Sequence, residues 1–339
     1  MTEQVDNTVH PSSVPPNVPF NLLGCQQDAE VSKVFIGVLN DIVVECGRFM
    51  DLSLLDGITI GFDYDAALES VDLGYESSIA KGYTNTNDLI GVAKTLRVRR
   101  NGAIKGHVVY NANYLMPIVE DVNDPQWMAT ANLIVHELAH VCEIAWFNGH
   151  SPGVMLEPFK GDWLRGQLLD AAHTCWEEYA ACRLACVFES AIVRENYLKA
   201  SISQTAVAFS RAHESIKSYR THGDLHRVIY EHCDIILNPL KMLSYLLGHI
   251  DGSEVGEDFN SEYQKFSDFS PFVKKFQDEL RNAWESRFEW DGLNGLTGIV
   301  DIYLEVFRAA GMVLTLDTSQ EGGSSRADFP FSPETLPGG

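Results

Sequence analysis

The chain has 339 residues, 45% of them hydrophobic, enough for one large buried core or two modest ones. Its 47 acidic against 25 basic side chains give a net charge of −22, a field that repels phosphate backbones and argues against nucleic acid as a partner. No apolar run approaches the length of a membrane span, and the seven cysteines include no CxxC pair, so neither a membrane nor a disulfide framework or zinc ribbon is expected.

Residues 1–20 are polar and proline-rich without an apolar signal core, which predicts a disordered segment and, with reduced thiols, a cytoplasmic protein. Val31, Val34, Phe35, Val38, Leu39 and Ile42 recur at helical spacing, and 57–62 reads as a strand followed by loop-rich sequence to 90. The clearest β signal is next. Segments 94–100 and 103–111 flank Asn101-Gly102, a turn pair that tolerates positive φ, so a hairpin is predicted. Leu96 and Val98 alternate with Arg97 and Arg99, giving the first strand one wet face. Lys94, Arg97, Arg99, Arg100 and Lys105 form a local basic cluster best explained as a solvated strand face.

Residues 126–147 turn helical, ended by Gly149 and Pro152, and 151–160 is a loop. Asp162 then caps a helix to about 189. Further helices are expected over 195–219, 224–250 and 271–310, with Pro239 breaking or kinking the second. The aromatics of 271–310 recur as helix core. Residues 311–316 suggest a short closing strand, and 317–339 a disordered tail.

Inside the 126–147 helix lies His136-Glu137-Leu138-Ala139-His140. Residues four apart share a helix face, so both imidazoles can reach one metal ion. Glu137 lies one step round, beside the ion rather than on it, where a general base for water attack has to sit. A hydrolytic zinc site needs a third protein ligand. Glu178 shares a helix face with Cys175, Cys182 and Cys186, and an acid on such an apolar stripe needs a partner. Glu177 points a quarter turn away and is expected in solvent. Glu143, one turn beyond His140, is too close along the helix to serve as the third ligand and suits a supporting or solvated role. His173 is expected at the surface, Cys142 and Cys175 in the core. His222, His226 and His232 are read as ordinary histidines rather than a second metal site.

This pattern resembles the gluzincin branch of HExxH metallopeptidases, whose third ligand is a Glu on a downstream helix. Glu178-Tyr179-Ala180-Ala181, followed by Leu184 and Ala185, is similar to the E-x-x-A helix of its compact members. In that family the edge strand before the active-site helix pairs with extended substrate, and 106–113 occupies that place. The likeness covers about residues 57–190. Cys182 stands where many members carry an acid that orients the first His, so that support must come from elsewhere. Glu143 and Trp146 exclude the metzincin pattern.

The resemblance implies an α+β fold: a zincin-like core with a small mixed sheet, hairpin, active-site helix and Glu-bearing helix, plus a mostly α-helical C-terminal half. The expected division is 1–20, a catalytic core over 21–190, a helical subdomain over 191–316, and a tail over 317–339. It also implies one Zn2+ per chain, held by His136, His140 and Glu178, with Glu137 as general base in hydrolysis of a protein or peptide. Tyr110, Asn111, Tyr179, His226 and Tyr230 are candidates for substrate contact, four of them also for oxyanion donation. The alternative is a metal-binding zincin-fold module with little turnover. The oligomeric state is not encoded in any feature of the sequence.

Overall fold

The computed structural model describes residues 10–24, 29–77, 81, 91–253, 259–319 and 324–336. The chain divides into two units, Met1–Trp146 with Leu184–Ile192, and Phe147–Arg183 with Val193–Gly339. The fold is mixed α+β with a small mixed sheet, as expected. Two long helices, Pro125–His150 and Trp163–Ala185, run through the boundaries of these units.

In the first unit the strands are β1 (Phe20–Leu23), β2 (Leu55–Gly61), β3 (Ala93–Arg100) and β4 (Ala103–Asn111), and the helices α1 (Ala29–Cys46), α2 (Tyr64–Ser70), α3 (Ala112–Leu115) and α4 (Pro125–His150). The hairpin forms where Asn101 and Gly102 take φ of 52° and 82°, a left-handed turn that asparagine tolerates and glycine, without a Cβ, adopts freely. Strand order is β1-β2-β4-β3, with β4 parallel to β2 and antiparallel to β3. The strand expected at the edge, 106–113, is therefore interior: β4 has partners on both sides, and β3 is the edge. Arg99 on that edge donates its N–H to the Leu73 carbonyl at 2.8 Å.

Each sheet face packs against a helix. Leu96, Val98 and Val109 meet Val71 and the Tyr64, Ala67 and Leu68 side chains of α2, which begins where Asp63 accepts the Ala66 N–H. The other face approaches α4 at Gly106, where a Cβ would lie 2.8 Å from Val141 and 3.3 Å from Ile144. Only a residue without a side chain lets the helix sit this near the sheet. The basic cluster is not simply solvated either. A register shift between Leu55 and Gly57 accompanies an Asp56 carboxylate 3.0 Å from both Arg100 Nη2 and His107 Nδ1. His107 Nε2 lies 2.9 Å from Thr59 Oγ1, and burial lowers its pKa despite the Asp56 carboxylate.

The predicted disorder of 1–20 does not extend over 10–20. Ser13 donates its hydroxyl to the Gly47 and Met50 carbonyls at 2.9 and 2.7 Å and accepts the Leu52 N–H, fixing this segment behind α1. Residues 1–9 lie outside the described residues.

The second unit contains α5 (Trp163–Ala185), α6 (Ala191–His222), α7 (Leu225–Gly252), α8 (Asn260–Tyr263), α9 (Ser270–Ser286), α10 (Thr297–Ala309), and a small ribbon of β5 (Val313–Thr315) with β6 (Arg326–Asp328). Its core includes Val273, Phe276 and Leu280 of α9 and Tyr303, Val306 and Phe307 of α10. The expected single helix over 271–310 is two, because Trp290 turns inward and Gly292 takes a φ of 59°. Helix α7 is unbroken at Pro239, and its Gly248 and Gly252 allow close approach to α5: a Cβ would fall 2.2 Å from the Tyr179 carbonyl and 2.3 Å from that of Arg183.

The tail is also ordered where described. Arg220 donates to the carbonyls of Phe329, Pro330 and Thr335, satisfying backbone groups that the sequence alone left without partners. Among the described residues no helix is long and apolar enough to cross a membrane.

Candidate metal centre

Helical spacing brings the first two predicted ligands together. The Nε2 atoms of His136 and His140 lie 3.3 Å apart, with ring planes at 88°. A tetrahedral ion bound at 2.0–2.1 Å separates its nitrogen ligands by about 3.4 Å, so the pair has the spacing of two vertices around one ion. His136 is buried and His140 half-buried.

Glu137 is also buried, and its carboxylate is held from β3: the Thr95 hydroxyl lies 2.8 Å from both Glu137 Oε2 and the Glu137 carbonyl oxygen. Sequence reasoning missed Thr95. Its alternation with Leu96 and Val98 puts it on the opposite strand face, but nothing local shows that this face meets α4. Asn132 was missed as well. Its amide donates to the Ala185 and Phe188 carbonyls at 2.9 and 3.0 Å, tying α4 to the turn after α5.

Tyr110 is fully buried and donates its hydroxyl to the Ile134 carbonyl at 2.9 Å. Burial, and then the Glu137 charge, push its pKa far up. It supports the backbone of α4 just before His136. Asn111 caps α3, its Oδ1 accepting the Asn113 N–H at 3.1 Å. Glu143 is buried, not solvated as one expectation had it.

In the second unit Glu178 lies on α5 with Cys175 and Cys182 buried beside it, as the apolar stripe predicts. Its Oε1 is 3.4 Å from Lys241 Nζ, and burial together with the Glu178 charge keeps the Tyr245 phenol protonated. Glu177 and His173 differ from expectation. Glu177 is largely covered, its Oε1 4.0 Å from His173 Nε2, and His173 is buried between the rings of Phe147 and Trp176.

Tyr179 is fully buried, donates to Asp251 Oδ2 at 2.8 Å and accepts from Arg183 Nη1 at 2.7 Å. Its hydroxyl is thus committed to a network inside the unit. His226 and Tyr230 lie exposed at the start of α7, against the ring of Trp163 at 6.1 and 5.2 Å. His222 takes the Asp224 N–H at 2.9 Å, a turn contact rather than a metal ligand. Cys142 and Cys175 are buried, as core residues should be.

Comparison of the chain with protein-family models, curated proteins and solved structures returned no match.

Proposed function

We propose that this protein is a zinc-dependent hydrolase of peptide bonds, with His136, His140 and Glu178 as metal ligands and Glu137 as general base. The observation that carries this reading is the pair of Nε2 atoms 3.3 Å apart beside a buried, hydrogen-bonded carboxylate. Glu178 enters this set as the third ligand that the gluzincin likeness implies. Two imidazoles and one carboxylate are a donor set suited to zinc that leaves a position for water. When bound, the ion supplies Lewis acidity and lowers the pKa of water. The chain's part is to take the proton at Glu137 and return it to the leaving nitrogen. An extended segment of protein or peptide is the substrate class this chemistry serves, and the gluzincin likeness agrees with it.

Metal analysis of the purified protein is expected to give about one zinc per chain. His140→Ala should abolish that binding. Glu137→Gln should keep the metal and lose cleavage of a proteome-derived peptide library followed by mass spectrometry. Wild-type turnover by Glu137→Gln would sink the mechanism.

A second reading, a metal-binding module with little turnover, draws on Tyr110 and Tyr179. Both hydroxyls are committed inside the fold, so neither is placed to steady an oxyanion. A partner that wild type and Glu137→Gln both bind intact would favour the module. A partner cleaved only by wild type favours the enzyme.

A further inference from the structure

We propose that Thr95 is the positioning residue of the general base, holding the Glu137 carboxylate in one orientation through its hydroxyl. The inference rests on the reading of Glu137 as base. Thr95 stands on β3, paired with Val108 of β4, and its hydroxyl is 2.8 Å from Glu137 Oε2. It has one proton and two acceptors at equal distance. The Glu137 carbonyl is an acceptor in the helix ladder of α4, whereas the carboxylate is the stronger, charged acceptor, so the proton goes to Oε2.

The seat of Thr95 is rigid. A β-branched side chain has a stiff χ1, and β3 is bonded along its whole length to β4. The bare Gly106 makes room, since a Cβ there would come within 3.3 Å of the Thr95 methyl and 2.8 Å of Val141. A free glutamate samples three side-chain torsions, and a base must stand within about 2.6–3.2 Å of the proton it abstracts. Fixing one carboxylate oxygen against the sheet leaves Oε1 as the oxygen that meets water. The donor comes from a strand rather than from the metal-binding helix, so the orientation of the base depends on how the sheet packs on α4.

The test has one arm that needs no metal and no substrate. In metal-free protein, urea unfolding of Thr95→Val, Glu137→Ala and the double variant forms a cycle. Valine keeps the shape of threonine and removes only the donor. The midpoint shift caused by Glu137→Ala should be about halved in the Thr95→Val background, and Thr95→Ser should leave it intact. Additive shifts would overturn the proposal.

The second arm uses zinc-loaded protein and the peptide library. Thr95→Val should lower kcat about ten- to a hundredfold, with KM and zinc content unchanged and Thr95→Ser close to wild type. Unchanged kcat in Thr95→Val overturns the positioning role. Wild type without turnover would count against the peptidase reading instead, and the metal-free cycle would still decide the Thr95 contact.

Discussion

Both ring nitrogens of His232 lack a hydrogen-bond partner among the described residues, although the side chain is fully buried in α7 and stacked 5.9 Å from Phe307. Burial, and then the nearby His213, lower its pKa from 6.5 to about 3. The imidazole is therefore neutral in the folded protein and readily protonated in the unfolded chain. Between pH 6.5 and about 3 the unfolded state binds the extra proton, so stability is full above this window and declines as pH falls through it. The loss approaches about 1.4 kcal/mol per pH unit for one proton. His232→Leu removes the titration and the two unsatisfied nitrogens. Its stability relative to wild type should rise steadily from pH 6.5 down to 4 in denaturant titrations. A difference constant with pH would show that His232 does not titrate on unfolding.

Among the elements, β4 and α4 set the geometry of the candidate centre, and Gly106 sets the distance between them. Gly106→Ala would place a methyl 2.8 Å from Val141 on the turn following His140, pushing α4 from the sheet. Overpacking of this kind costs about 1–3 kcal/mol. The same displacement separates Thr95 from Glu137, so thermal stability should fall and any hydrolytic activity with it. Normal stability and activity in Gly106→Ala would mean that α4 moves freely there. The sequence made some of this legible. The Asn101-Gly102 turn and the four-residue spacing of His136 and His140 are local, and both appear as read. Strand order was not legible, because it depends on β1 and β2 joining β4 from far along the chain. The same holds for Thr95, whose role follows from which sheet face meets α4. A helical period likewise persisted through 271–310, where only the inward turn of Trp290 and the positive φ of Gly292 divide it.

On the scale of the whole molecule, the C-terminal segment matters more than its composition suggests. Low hydrophobicity and many Ser, Gly and Pro residues signal disorder, yet the described part of the tail is held by polar contacts that no hydrophobic pattern reveals. Ser325 donates its N–H to Asp162 Oδ2 at 3.0 Å, and Asp162 Oδ1 also receives the Arg165 N–H at 2.9 Å at the start of α5. Burial opposes ionisation of Asp162, but the donors from Ser325, Arg165 and Leu164 outweigh it and lower its pKa. Arg220 closes the other end, with its guanidinium 4.2 Å from the centre of the Phe331 ring and its N–H groups on three tail carbonyls. Hydrogen bonds from a charged donor contribute about 1.5–3 kcal/mol, so Arg220→Ala should lower stability by roughly that amount. It should also open 324–336 to limited proteolysis, and truncation after residue 319 should reproduce the stability loss. Because both changes remove the same contacts, their effects should fail to add when combined. Full additivity, or a protease-resistant tail in Arg220→Ala, would assign the fixing of the tail to contacts other than this arginine.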